Sequence, residues 1–185
     1  MRVITGSARG CRLKEPSDNE QRPTTDKVKE SLFNIIQFDI EGRRVLDLFA
    51  GTGQLGIEAL SRGAERAVFA DRSPKAIALI NENLERTKLK DKAVVIRGDW
   101  KDVLLRNREV FDLVFLDPPY GSGLLEEALL KLAEIDILSR NGIIVCESRD
   151  DAQLPQPESP YEKTGEYRYG KIRLTLYTKK GNREK

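Results

Sequence analysis

An apolar run ending in an acid, two prolines and an aromatic ring, FDLVFLDPPYG over residues 111 to 121, carries the clearest chemical pattern in the chain. Consecutive prolines donate no backbone hydrogen bond and stiffen a turn, so their carbonyls are held in fixed directions. Asp117 and the Pro118 carbonyl then form a pair of acceptors, Pro119 keeps the turn rigid, and Tyr120 adds a flat face beside them. That set suits a planar ring bearing an exocyclic amino group. The acceptors bind the amino hydrogens while the tyrosine stacks on the ring. An aniline-like nitrogen is a poor nucleophile because its lone pair is delocalised. Holding both hydrogens on acceptors favours a more pyramidal nitrogen, with the lone pair aimed at an electrophilic methyl. Alignment of the two is mainly catalysis by positioning. The plainer alternative is a rigid turn without chemistry.

A second stretch, VLDLFAGTGQLG over residues 45 to 56, runs from an apolar strand through glycines into a helical pattern. Gly51 and Gly53 allow the bend and the close approach of a ligand. With Gly56 they match the dinucleotide pattern GxGxxG, so a nicotinamide-dependent oxidoreductase has to be weighed. Asp47 argues against it, since an aspartate beside a pyrophosphate is repelled in a partly desolvated crevice. An ammonium or sulfonium ligand is attracted instead. S-adenosylmethionine (AdoMet) has both, plus a ribose that calls for a carboxylate at the end of the next strand. Asp71 closes AVFAD there, roughly 20 residues after the glycine turn. Asp99, in IRGDW, can reach the adenine amino group or cap the helix beginning at Trp100; both readings stand.

The chain has no histidine, which removes histidine triads, bases and metal ligands, and its two cysteines make no zinc site. No metal is called for. Cys146 sits inside an apolar strand, where the exposed thiolate needed for cytosine-C5 chemistry is disfavoured. At 185 residues, 39% hydrophobic and 34% charged, one principal domain is expected. No apolar run approaches the ~20 residues of a membrane span, and MRVITGSARG has no apolar signal core, so a cytoplasmic location is expected. Net charge is +2, but Arg2, Arg9, Arg12, Lys14 and Arg22 crowd the N-terminal segment and TKKGNREK ends the chain. Such ends either are simply solvated or grip phosphates.

The elements that must position these residues follow from periodicity. Residues 2 to 14 suggest a small β-hairpin or extended arm, and residues 15 to 21 a loop. Thr24 or Thr25 can cap a helix with its apolar stripe at Val28, Leu32, Phe33, Ile35 and Ile36. Strands are expected at 45–49, 67–71, 93–97, 113–116 and 143–147, and helices near 53–62, 74–88, 100–106 and 123–133. A closing antiparallel hairpin is expected at 161–167 and 171–178. Repeated βα units imply a Rossmann-like α/β fold, doubly wound and mostly parallel, with seven strands and ligands at the strand carboxyl ends.

These motifs resemble those of amino-directed, class I AdoMet-dependent methyltransferases. The opening RVITGSARGCRLK, Arg22 to Asp26 with Lys27 to Glu30 and Leu32 to Asn34, and Leu124 to Glu126 are more narrowly similar to the bacterial RsmD family. That resemblance implies methylation of N2 of a guanine in 16S ribosomal RNA. It implies a domain over residues 22–185 with a basic hairpin arm over 1–21 that grips RNA phosphates. Cofactor contacts are then expected from Asp47, Phe49, Ala50, Gly51, Thr52, Gly53, Asp71, Arg72, Asp99 and Trp100. Asp117, Pro118, Pro119 and Tyr120 would take the target base. The expected partner is 16S rRNA, within a 30S subunit or an assembly intermediate, and the expected working form is a monomer. A DNA or RNA adenine-N6 methyltransferase on the same scaffold, and a catalytically silent RNA-binding assembly factor, are the other readings.

Overall fold

The computed structural model describes residues 1–16 and 26–179. The expected Thr24 or Thr25 cap, the segment Arg22 to Thr25 and the 21/22 boundary lie outside the described residues. So do residues 180–185 of the basic C-terminal end.

Among the described residues, five α-helices and seven strands follow in the order α1 (Asp26–Ile35), β1 (Arg44–Asp47), α2 (Gln54–Ser61), β2 (Arg66–Asp71), α3 (Pro74–Thr87), β3 (Ala93–Arg97), α4 (Trp100–Arg106), β4 (Phe111–Leu116), α5 (Leu124–Ile135), β5 (Leu138–Arg149), β6 (Tyr161–Tyr169) and β7 (Ile172–Lys179). These strands join one sheet in the order β3-β2-β1-β4-β5-β7-β6. The first five are parallel to one another, and the β6–β7 hairpin adds the antiparallel edge. This is the Rossmann-like α/β architecture that the alternation of patterns predicts.

Side chains alternate across a strand, so each central strand feeds two cores. Leu113 and Phe115 of β4 pack with Leu32, Phe33, Leu60 and Ile80 from α1, α2 and α3. Val114 and Leu116 pack on the opposite face with Trp100, Leu104, Leu125 and Leu129 from α4 and α5. A sheet covered on both faces leaves its strand ends as the place for a site.

β5 begins at Leu138, five residues before the expected start at Ile143, and the register against β4 shifts between Phe111 and Leu113. Leu138 pairs with Phe111 ahead of that irregularity, and residues 139–142 span it before regular pairing resumes at Ile143.

Residues 1–16 fold back through an antiparallel bridge, Arg2 to Arg12, and lie along α2 and α3. Val3 and Leu13 are buried in the first core. Glu58 of α2, fully buried, accepts from Ile4 N (2.8 Å), Thr5 N (3.0 Å) and Arg62 Nε (2.8 Å). Buried Lys29 of α1 donates to the Arg2 carbonyl and lies 3.8 Å from Glu58. Burial lowers the Lys29 ammonium from its ordinary range, and Glu58 opposes that pull. Ser61 and Asn83 complete the attachment, Ser61 Oγ accepting from Ala8 N and Asn83 Oδ1 from Lys14 N.

Candidate active site

The order of the sheet reverses between β1 and β4: β2 and β3 follow on one side, β5 on the other. Loops leaving such a pair diverge and open a crevice at the carboxyl ends. Each parallel strand delivers an acid there: Asp47 ends β1, Asp71 ends β2, Asp99 follows β3, Asp117 follows β4 and Glu147 lies near the end of β5. All of them line one cleft of about 1020 Å³. Phe49, Ala50, Gly51, Thr52, Arg72, Trp100, Pro118, Pro119 and Tyr120 line it too. Gly53 does not; it sits behind the loop with φ 78°, just ahead of α2.

The glycine turn is tied to the loop that follows β2. Asp71 accepts from Gly51 N (2.9 Å) and Ser73 N (2.8 Å), joining the two. An ionised carboxylate has about four acceptor positions, so these bonds leave capacity for ribose hydroxyls. Gly56 answers to packing: a β-carbon there would lie 2.3 Å from Phe69 of β2. The third glycine of the GxGxxG match therefore serves helix-on-strand contact, whatever the ligand.

Asp47 is buried and accepts from Gly56 N (3.0 Å) in the first turn of α2. Burial pushes its carboxyl up to about 7; the Gly56 bond opposes this and nearby Asp71 adds to it. A carboxyl so placed is short of positive charge, which a cationic ligand in the cleft would supply. Gln54 lines the same end, and its buried Oε1 has no hydrogen-bond partner among the described residues. An orphaned acceptor beside an under-compensated acid fits a ligand with N–H donors.

Farther along, Phe49 and Trp100 pack at 6.3 Å with planes tilted by 51°, giving an aromatic wall. Asp99 accepts from Lys101 N (2.9 Å), so it caps α4, and it also lines the cleft. Both of its expected roles are compatible with this placement. Arg72 is exposed beside Asp71.

At the opposite end Tyr120 is 47% exposed while its hydroxyl donates to Glu147 Oε1 (2.8 Å). Burial and then Glu147 push the hydroxyl upward, so it stays protonated and keeps donating. The ring is thus anchored at its tip with surface left for stacking. Sequence reading missed Glu147, which is 4% exposed. The available signal was its position: the apolar strand ending in CES carries an acid at its tip, as AVFAD and VFLD do. Gln54 and the hairpin turn residues Tyr169, Lys171 and Ile172, which close the rim with Arg149, were missed as well. Cys146 is buried, and burial pushes its thiol up, away from the thiolate.

Among the described residues no group of three or more metal-ligating acids or cysteines is present, and no helix is long and apolar enough to cross a membrane.

Comparison with known proteins bears on the whole chain. The family model described as "Conserved hypothetical protein 95" matches residues 1–178. "Putative rRNA methyltransferase YlbH" of Bacillus subtilis is 44% identical over 184 residues, covering 98% of this chain and 100% of the relative. "Ribosomal RNA small subunit methyltransferase D" of Haemophilus influenzae is 38% identical, covering 86% and 84%. Among solved structures, "Putative methyltransferase yhhF" from Escherichia coli superposes with a TM-score of 0.87 at 32% identity, covering 97% of this chain and 98% of that one.

Proposed function

The chain belongs to the Conserved hypothetical protein 95 family, the RsmD family, and has the class I methyltransferase fold; on that footing we propose that it methylates the exocyclic N2 amino group of a guanine in small-subunit (16S) rRNA, with AdoMet as donor. One observation carries the reading: the Asp47–Gly51–Asp71 set and the Asp117–Tyr120 set open onto the same cleft. A donor and an acceptor bound at its two ends face each other.

AdoMet would bring an electrophilic methyl group on a sulfonium, which is the hard part of the chemistry. Asp47, the Gly51 loop and Gln54 would hold its methionine end, Asp71 its ribose, and Phe49, Asp99 and Trp100 its adenine. The acidic end of the cleft favours that cation over the pyrophosphate of a dinucleotide. Asp117 and the Pro118 carbonyl take the hydrogens of the target amino group, and Tyr120 stacks on the base. The nitrogen lone pair is then directed along the cleft, and Asp117 would receive the proton that the methylated nitrogen sheds. A base inside folded RNA must be unstacked to arrive there. The rRNA is presented within a 30S subunit or an assembly intermediate, and the chain acts as a monomer in the cytoplasm.

The test is direct. Purified protein is incubated with labelled AdoMet and naked small-subunit rRNA, assembled 30S particles or DNA, and the digested product is identified. N2-methylguanosine in an rRNA-containing sample is expected. N6-methyladenosine, or label in DNA alone, would overturn the proposal.

A further inference from the structure

Asp117 and Glu147 both line the end of the cleft where Tyr120 stands, and both carboxylates act on the Tyr120 hydroxyl. Glu147 comes from β5, the neighbour of β4, and is 4% exposed where it borders the cleft. Burying a carboxylate is costly unless something donates to it. Tyr120 donates to it (2.8 Å), and an ionised carboxylate has about four acceptor positions.

Resting on the guanine-N2 reading, we infer that Glu147 is the specificity-determining residue for the base: it accepts from the ring N1–H while Asp117 accepts from the adjacent amino group. The reason lies in the edges of the bases. Guanine presents N1–H and the N2 amino group side by side, donors only. Adenine and cytosine pair their amino group with an unprotonated ring nitrogen, an acceptor. Two carboxylates on one wall satisfy the first edge and repel the second. A site built to receive a hydrogen bond rejects the analogue lacking it far more strongly than apolar contact rejects a misfit. The base, in this account, is chosen by β5 and not by the Asp-Pro-Pro-Tyr turn, whose acceptors suit any exocyclic amino group.

The probe is 2-aminopurine, which keeps the C2 amino group and replaces N1–H by a bare acceptor nitrogen. Small-subunit rRNA is built by splinted ligation with guanosine, 2-aminopurine riboside or adenosine at the mapped target position, and assembled with ribosomal proteins. Wild-type protein is expected to methylate guanosine at least about 100-fold faster, in kcat/KM, than 2-aminopurine. Glu147→Gln retains a partner for the Tyr120 hydroxyl and offers an NH₂ donor to the bare nitrogen. It should narrow the guanosine preference at least about tenfold while AdoMet binding stays at the wild-type level. Equal wild-type rates on guanosine and 2-aminopurine would overturn the inference without any variant, as would an unchanged ratio in a folded Glu147→Gln protein. The adenosine arm reports on the underlying reading separately: methylation there refutes the guanine-N2 function itself, whereas a lost preference on the other two arms refutes only the role of Glu147.

Discussion

At the scale of single residues, Asp47 has the most legible energetics. Unfolded, its carboxyl ionises near 3.8; folded, it ionises at about 7 because burial disfavours the charge. Between those values the folded chain holds more protons than the unfolded one, so this group's contribution to stability falls as pH rises from about 4 to 7 and is flat above. A cationic ligand reverses the preference and binds best to the ionised form. AdoMet affinity, measured by calorimetry, should therefore weaken about tenfold from about pH 7.5 to about pH 6, and Asp47→Asn should flatten that profile. Asp117→Ala should lower methyl transfer by roughly 10²-fold or more and leave AdoMet binding near wild type, read by single-turnover rates beside equilibrium binding. Loss of both would mean that Asp117 belongs to the donor end. The acids at 47, 71 and 117 were legible because each closes or interrupts an apolar run at a strand tip. Glu147 closes an apolar run in the same way, but nothing local in CESRD shows that its carboxylate meets the Tyr120 hydroxyl across two strand tips. Lys29 was passed over because its charge suggests solvent, although it stands three and four positions before Leu32 and Phe33, on the buried face of α1, where Glu58 of α2 meets it.

At the scale of elements, α2 is held against β2 at a separation only glycine allows. A methyl at position 56 would meet Phe69 at 2.3 Å, so Gly56→Ala should destabilise the fold on the order of 1–3 kcal/mol, visible as a lower urea midpoint. A midpoint equal to wild type would mean that the ring simply swings away. Periodicity predicted the strands of the described sheet because two-sided burial writes apolar runs into parallel strands. It placed the start of β5 too late, since Leu138 pairs with Phe111 across a register shift, five residues before regular pairing resumes at Ile143, and no local periodicity signals that long-range pair. The N-terminal segment is the larger surprise. Its basic residues drew attention to RNA, while its attachment depends on Glu58, Ser61 and Asn83, residues 53 to 69 positions away along the chain that no local pattern connects to it.

At the scale of the whole molecule, ligand discrimination is the coarsest check: AdoMet at about a hundred times its Kd should add about 2.7 kcal/mol of stability in a thermal melt, and NAD none. Deleting the N-terminal segment would uncover the core around Val3 and Leu13 and strip Glu58 of two backbone donors, so charge is the cleaner variable there. Exchanging the exposed Arg9 and Arg12 for glutamate should leave the melt unchanged and reduce the salt dependence of RNA binding by about one unit of slope for each phosphate no longer neutralised. An unaltered slope would remove the segment from RNA binding. The same attachment also has a temporal side. During synthesis these leading residues emerge well before α2 and α3 exist, so their amides must wait in water until the chain has grown past Asn83. Nascent chains halted short of that point should lose this segment to protease, while longer ones keep it, and a latch fastened so late closes only over a sheet already begun.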